Sequence, residues 1–172
     1  MPSWVQITRG EAPLIVSMPH AGEQLVPEME RQLVSPWLAR KDTDWHVEKL
    51  YDFAPQLGAT TVRTTLSRTV IDVNRDPSGK SLYPGQETTE LCPTTTFDGE
   101  PLYRNGQEPK KSEVARRKIA YFDPYHAGLA AEIARLRAQH PKIVLFDAHA
   151  IRSVVPRLFE GTLSDFNIGT NS

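Results

Sequence analysis

Cysteine is nearly missing from this chain. Cys92 is the only one among 172 residues, so no internal disulfide can form and a reducing, cytoplasmic setting is the expectation. Long hydrophobic runs are missing too: no apolar stretch approaches the ~20 residues a membrane-spanning helix needs. The opening Met1-Pro2-Ser3-Trp4-Val5-Gln6 lacks the basic-then-apolar order of a signal peptide. Charge of one sign is not in excess. The formal net charge is -1, which argues against nucleic acid or a membrane surface as partner. Neither a glycine-rich phosphate loop nor Gly-x-Ser-x-Gly occurs, so P-loop and nucleophile-elbow chemistry are set aside. What remains is an ordinary globular composition, 39% hydrophobic and 24% charged, in a length that fits one domain over residues 1–172.

Short apolar runs organise the chain. Leu14-Ile15-Val16-Ser17-Met18 reads as a buried strand ending in the turn-forming Pro19-His20-Ala21-Gly22. Residues 28–40 read as helical, with Pro36 kinking or restarting them. Asp42-Thr43-Asp44 supplies N-cap candidates for a clearer helix, with Val47, Leu50, Tyr51 and Ala54 on one face and Gly58 as the stop. Residues 59–66 and 69–73 predict two strands rich in Thr and Val, separated by Ser67-Arg68. Residues 74–109 form a long Pro/Gly/Thr-laden stretch of the kind that is often functional. Two helices are predicted after it, divided at Asp123-Pro124, with Asp123 as N-cap and with Leu129, Ile133 and Leu136 buried by the second. Lys142-Ile143-Val144-Leu145-Phe146 reads as another buried strand, running into Asp147-Ala148-His149. Strands alternating with helices predict an α/β sandwich. The last eight residues read as the middle of a loop, which leads us to expect that the domain is C-terminally incomplete.

The chemistry-bearing residues are placed by this pattern. Two apolar strands each run into a histidine, His20 and His149. Sites in open α/β sheets gather outside the carboxyl ends of strands. Asp44, at the start of the amphipathic helix, can face the same edge. Two imidazoles and a carboxylate form a known catalytic zinc set, with a fourth position open. Each of the three also has a plainer reading, as a hydrogen-bonded loop histidine or a helix cap. Arg68 and Arg75 bracket a short apolar segment. They suit either an anionic substrate or internal salt bridges with Asp72 or Asp76. His126, in the first turn of its helix, faces either a cleft or solvent. Cys92 has no basic neighbour in sequence and reads as a bystander.

Five strings carry a likeness when taken together: Ser17-Met18-Pro19-His20-Ala21-Gly22, Asp42-Thr43-Asp44-Trp45-His46-Val47, Ser67-Arg68-Thr69-Val70-Ile71-Asp72-Val73-Asn74-Arg75, Pro124-Tyr125-His126 and Phe146-Asp147-Ala148-His149-Ala150-Ile151. In this order they resemble the N-formylglutamate amidohydrolase family, over nearly the whole chain. The resemblance implies a three-layer α/β/α sandwich with a mixed sheet, similar to zinc carboxypeptidases and aspartoacylase. It implies Zn2+ or another divalent metal on His20, Asp44 (rather than Asp42) and His149. Arg68, Arg75 and Asn74 would hold the substrate carboxylates, and His126 would serve as a catalytic group lining the site. The implied activity is hydrolysis of N-formyl-L-glutamate to formate and L-glutamate, in histidine degradation. The alternatives are a catalytically inactive metal- or carboxylate-binding fragment, or an amidohydrolase acting on another small N-acyl amino acid. Ala150 stands where the family more often carries a small hydroxyl residue. No residue of this chain matches the glutamate expected as general base. The oligomeric state stays open, and an incomplete sheet leads us to expect self-association.

Overall fold

Four short strands form one mixed sheet in the computed structural model, which describes residues 2–78 and 89–170. The strands are β1 (Val5–Thr8), β2 (Leu14–Met18), β3 (Thr60–Thr64) and β4 (Val144–Asp147), in the order β1-β3-β2-β4. β1 pairs antiparallel with β3, while β2 runs parallel to both β3 and β4. β2 lies between two neighbours, and its apolar run is buried along nearly its full length. β3 alternates, with Thr60, Val62 and Thr64 inward, as period-2 strand geometry requires.

Successive β2 side chains serve opposite faces. Ile15 joins Val62, Phe122, Tyr125 and Leu136, so the helix α4 (Asp123–Arg137) covers that side. Val16 and Met18 join Val47, Ala54 and Ala59, so α2 (Val47–Leu50) and the 3-10 turn Ala54–Leu57 cover the other. Among the described residues no helix is long and apolar enough to cross a membrane.

Several expectations are corrected by the coordinates. Residues 28–40 are not one helix. α1 spans only Pro27–Glu30, and a 3-10 turn Leu38–Arg40 follows Pro36, whose ring disfavours helical backbone at the preceding residue. Asp44 does not cap α2. His46 occupies that position in a left-handed conformation (φ 64°), and no side chain caps the helix. Leu50 is correspondingly exposed, although Val47 and Ala54 are buried. Residues 69–73 are turn-like rather than a strand. Ser67 and Thr69 hydroxyls both donate to the Ala39 carbonyl, fixing the segment through side chains instead of a ladder.

β1 was not expected, though Trp4-Val5-Gln6-Ile7-Thr8 carries the alternation that marks such a strand. Asp123 is no N-cap either. α3 (Lys111–Arg117) continues through a π turn, Lys118–Phe122, straight into α4, so Pro124 sits in the first turn after that widening. β4 exists but is a terminal strand with Val144 and Leu145 about half exposed, not a buried one. Of the long stretch 74–109, residues 79–88 lie outside the described residues.

Candidate metal centre

Parallel pairing of β2 and β4 brings their carboxyl ends to one edge of the sheet, with Ser17 level with Asp147. Each strand is followed two residues later by a histidine, and the Ala148 N–H donates to the Ser17 carbonyl (2.7 Å), extending the alignment past the strands. The His20 and His149 rings therefore meet, with centroids 4.9 Å apart. The third member arrives by a loop. The Asp44 N–H donates to the His20 carbonyl (3.1 Å), which fixes Asp44 against the end of β2.

His20, Asp44 and His149 each offer a ligand atom, and these atoms lie within 4.8 Å of one another. His20 is 5% and Asp44 3% exposed, whereas the His149 side chain is about one-third open. Asp44 Oδ2 accepts from His149 Nδ1 (3.0 Å) and from the Ala150 N–H (3.1 Å). His20 Nδ1 stands 3.7 Å from the same oxygen, too far for a hydrogen bond, and has no partner despite being buried. Its ring is oriented from behind. The carboxylate of Asp72 can only accept, so the 2.6 Å contact assigns the proton to His20 Nε2. The Nδ1 lone pair is then aimed at the Asp44–His149 side. An orphaned, buried imidazole nitrogen facing a carboxylate and a second imidazole is a donor set that fits a divalent cation.

His149 is held by acids at both nitrogens. Nε2 lies 3.2 Å from Asp147 Oδ2 and 3.0 Å from the Asn74 side-chain amide. Desolvation opposes a charged ring, yet the hydrogen bonds to Asp147 and Asp44 outweigh it and lift the His149 pKa to about 9. Burial likewise pushes against ionised Asp44, but the two histidines prevail and hold it well below the usual carboxylate range.

Asp72, fully buried, is the residue the sequence reading passed over except as a partner for arginines. Besides His20 it takes Arg68 Nη2 (2.6 Å) and the Asn74 N–H (2.9 Å), and Arg75 Nε stands 3.8 Å away. Desolvation is overcome by Arg68 and His20, so its pKa is strongly lowered. Arg68 is itself buried, 4.0 Å from Asp44 and stacked on Phe97 (4.8 Å to the ring centre). The internal salt bridge left open by the sequence is therefore formed by both arginines. Arg75 is the more open of the two and also donates to Thr89 Oγ1 (3.0 Å).

His126 is not among the three clustered residues. Its Nε2–H donates to the Val73 carbonyl (2.8 Å) and its ring stacks on Phe122 (4.2 Å). It thus borders the segment that carries Asn74 and Arg75. Cys92 is buried, and that burial raises its thiol pKa to about 11, which disfavours a nucleophilic thiolate.

A mixed-sheet α/β fold with a His–Asp–His cluster at the carboxyl edge of its parallel strands defines an α/β protein with a candidate metal centre. The family model described as N-formylglutamate amidohydrolase matches residues 12–172. The chain belongs to that family. It is 49% identical over 164 residues to an N-formylglutamate deformylase of Pseudomonas aeruginosa, covering 95% of this chain and 61% of the relative. It is 48% identical over 162 residues to an N-formylglutamate deformylase of Pseudomonas putida, covering 94% and 60%. The chain thus spans about three-fifths of the length of these curated relatives. Among solved structures it resembles an N-formylglutamate amidohydrolase of Ralstonia eutropha JMP134 (TM-score 0.70, 23% identity, 90% of this chain and 63% of that one). It also resembles the gene product Atu2144 of Agrobacterium tumefaciens (TM-score 0.68, 21% identity, 91% and 60%). At these identities the structural likeness speaks for the fold alone.

Proposed function

We propose that this polypeptide provides the metal centre and substrate anchor of an amidohydrolase that converts N-formyl-L-glutamate to formate and L-glutamate, in the cytoplasm and in histidine degradation. The observation that carries the proposal is the buried, unpartnered His20 Nδ1 facing Asp44 and His149, in a chain of this family. His20, Asp44 and His149 would hold the divalent cation, for which two nitrogens and an oxygen suit Zn2+. When bound, such a cation polarises the amide carbonyl and lowers the pKa of water toward ~7. The fold likeness to zinc carboxypeptidases and aspartoacylase, with helices on both sheet faces, belongs to the same proposal.

The chain's own residues supply orientation. Asp72 accepts from His20 Nε2–H and so sets the tautomer whose Nδ1 lone pair faces the centre. Arg75 and Asn74 form the accessible part of the carboxylate anchor, with Arg68 acting from behind through Asp72. A guanidinium fork on a substrate carboxylate fixes the formyl group over the cluster, and the gain is one of proximity. His126 serves as a positioning residue: its bond to the Val73 carbonyl holds the Asn74–Arg75 segment against α4.

Formate release from N-formyl-L-glutamate in the presence of Zn2+ tests the reading, with the N-acetyl compound as control. Release from the formyl substrate alone supports it, whereas preference for the acetyl compound moves the chain to another N-acyl substrate. A second reading is a metal-binding portion without turnover. Zinc retained by the 172-residue chain without formate release would select that one.

A further inference from the structure

Asp147 touches the cluster, yet neither the metal set nor the substrate anchor uses it. It closes β4 and precedes His149 by two residues. Along extended backbone, side chains two residues apart lie on the same face. The bond from the Ala148 N–H to the Ser17 carbonyl (2.7 Å) continues the pairing with β2 past the strand. Asp147 Oδ2 accordingly lies 3.2 Å from His149 Nε2. Its partner in register on β2 is Ser17, whose hydroxyl meets that of buried Tyr125 (2.9 Å), so α4 backs this end of the sheet.

The two histidines are arranged alike. Each turns Nδ1 toward the same Asp44 oxygen, at 3.7 Å from His20 and 3.0 Å from His149. Each turns Nε2 toward a carboxylate of its own, Asp72 at 2.6 Å and Asp147 at 3.2 Å. A carboxylate only accepts, so Asp147 favours the proton on His149 Nε2 and leaves Nδ1 for the cluster. The Asn74 amide, 3.0 Å from the same Nε2, fits this by presenting its oxygen to the ring, since the O and N of an amide exchange by a half-turn. We propose that Asp147 is the positioning residue of His149, and that Nδ1 of both histidines would hold the cation. The assignment rests on the metal-centre reading. The two supports differ in stiffness. Asp72 is fully buried and bonded to Arg68, whereas the Asp147 side chain is 38% exposed. His149 is therefore the more loosely held of the two rings.

Zinc affinity by chelator competition and long-range 1H–15N spectra of the zinc-loaded, 15N-labelled 172-residue chain test it. The spectra are expected to show the His149 proton on Nε2 and the metal on Nδ1. Asp147→Ala should weaken zinc binding about tenfold, the lower end of the effect of groups that orient metal-bound histidines. Asp147→Asn should recover several-fold of that loss, because its carbonyl still accepts from Nε2–H. Both variants remove the same charge, so a hydrogen-bonding role is what separates them. The wild-type spectrum decides even where a variant fails to fold. Zinc on His149 Nε2, equal loss in both variants or undiminished affinity overturns the assignment and leaves the metal centre standing. No zinc bound by the wild type removes both. Zinc on Nδ1 without formate release keeps the assignment and removes the deformylase reading.

Discussion

A single carboxylate, Asp72, decides how the histidine at the end of β2 presents itself. The 2.6 Å bonds from His20 and Arg68 converge on a side chain with no solvent exposure, and a charge buried so deeply persists only with such partners. Asp72→Asn removes the charge and leaves the buried Arg68 with only the more distant Asp44 carboxylate, 4.0 Å away. We predict a loss of zinc affinity of about 10–100-fold, as for other residues that orient metal-bound histidines, and a lower melting temperature. Chelator competition and thermal melts check this, and unchanged affinity would contradict it. Strand ends that share an edge made His20, Asp44 and His149 no more than a suggestion, and the family resemblance supplied the set, including Asp44 rather than Asp42. The sequence could not show Asp72 beneath them, because residues 69–73 read as a strand by composition. Only the turn that the Ser67 and Thr69 hydroxyls stabilise brings the carboxylate around to His20.

The helical run from Lys111 to Arg137 shows what local pattern conveys and where it stops. Strand–helix alternation and the inward Leu136 were legible, whereas the π turn before Asp123 was not, because Asp-Pro usually marks a helix start. Arg117, 1% exposed, donates to the Val70 carbonyl and the Tyr103 hydroxyl and thereby ties α3 to the turn that carries Asp72. Arg117→Met would leave those groups unmet at about 1–3 kcal/mol each. Urea unfolding measures the loss, and a shift below 1 kcal/mol would contradict it. Glu113 bonds Arg116 and Arg117 from the same helix. Arg116 above all, then Arg117 against some desolvation, draws the Glu113 pKa from 4.5 down to about 2. A depressed carboxylate stabilises the fold above its unfolded pKa, and this contribution fades as pH falls from about 4.5 through about 2. Glu113 is partly exposed, so solvent screens the effect. Glu113→Gln should flatten the stability profile within that window and leave its slope near neutral pH alone, as acid titrations of unfolding would show.

Across the whole molecule, the sheet is covered unevenly. β2 is enclosed by α4 on one side and by α2 with its 3-10 turn on the other, β3 is buried on its α4 side only, and terminal β4 leaves Val144 and Leu145 exposed. An open apolar edge strand is a template for pairing with other chains. The 172-residue chain is therefore expected to self-associate at micromolar concentration, and Val144→Lys should shift it toward monomer by light scattering. Monodisperse wild-type monomer would contradict this. The account as a whole depends on the strand-end cluster accepting a cation. Zinc-edge X-ray absorption on the loaded chain tests it most directly. The predicted spectrum shows two imidazoles and oxygen ligands, with bound zinc lost in His20→Ala and His149→Ala. Sulfur ligation, absent imidazole scattering or undiminished zinc in both variants would contradict the centre.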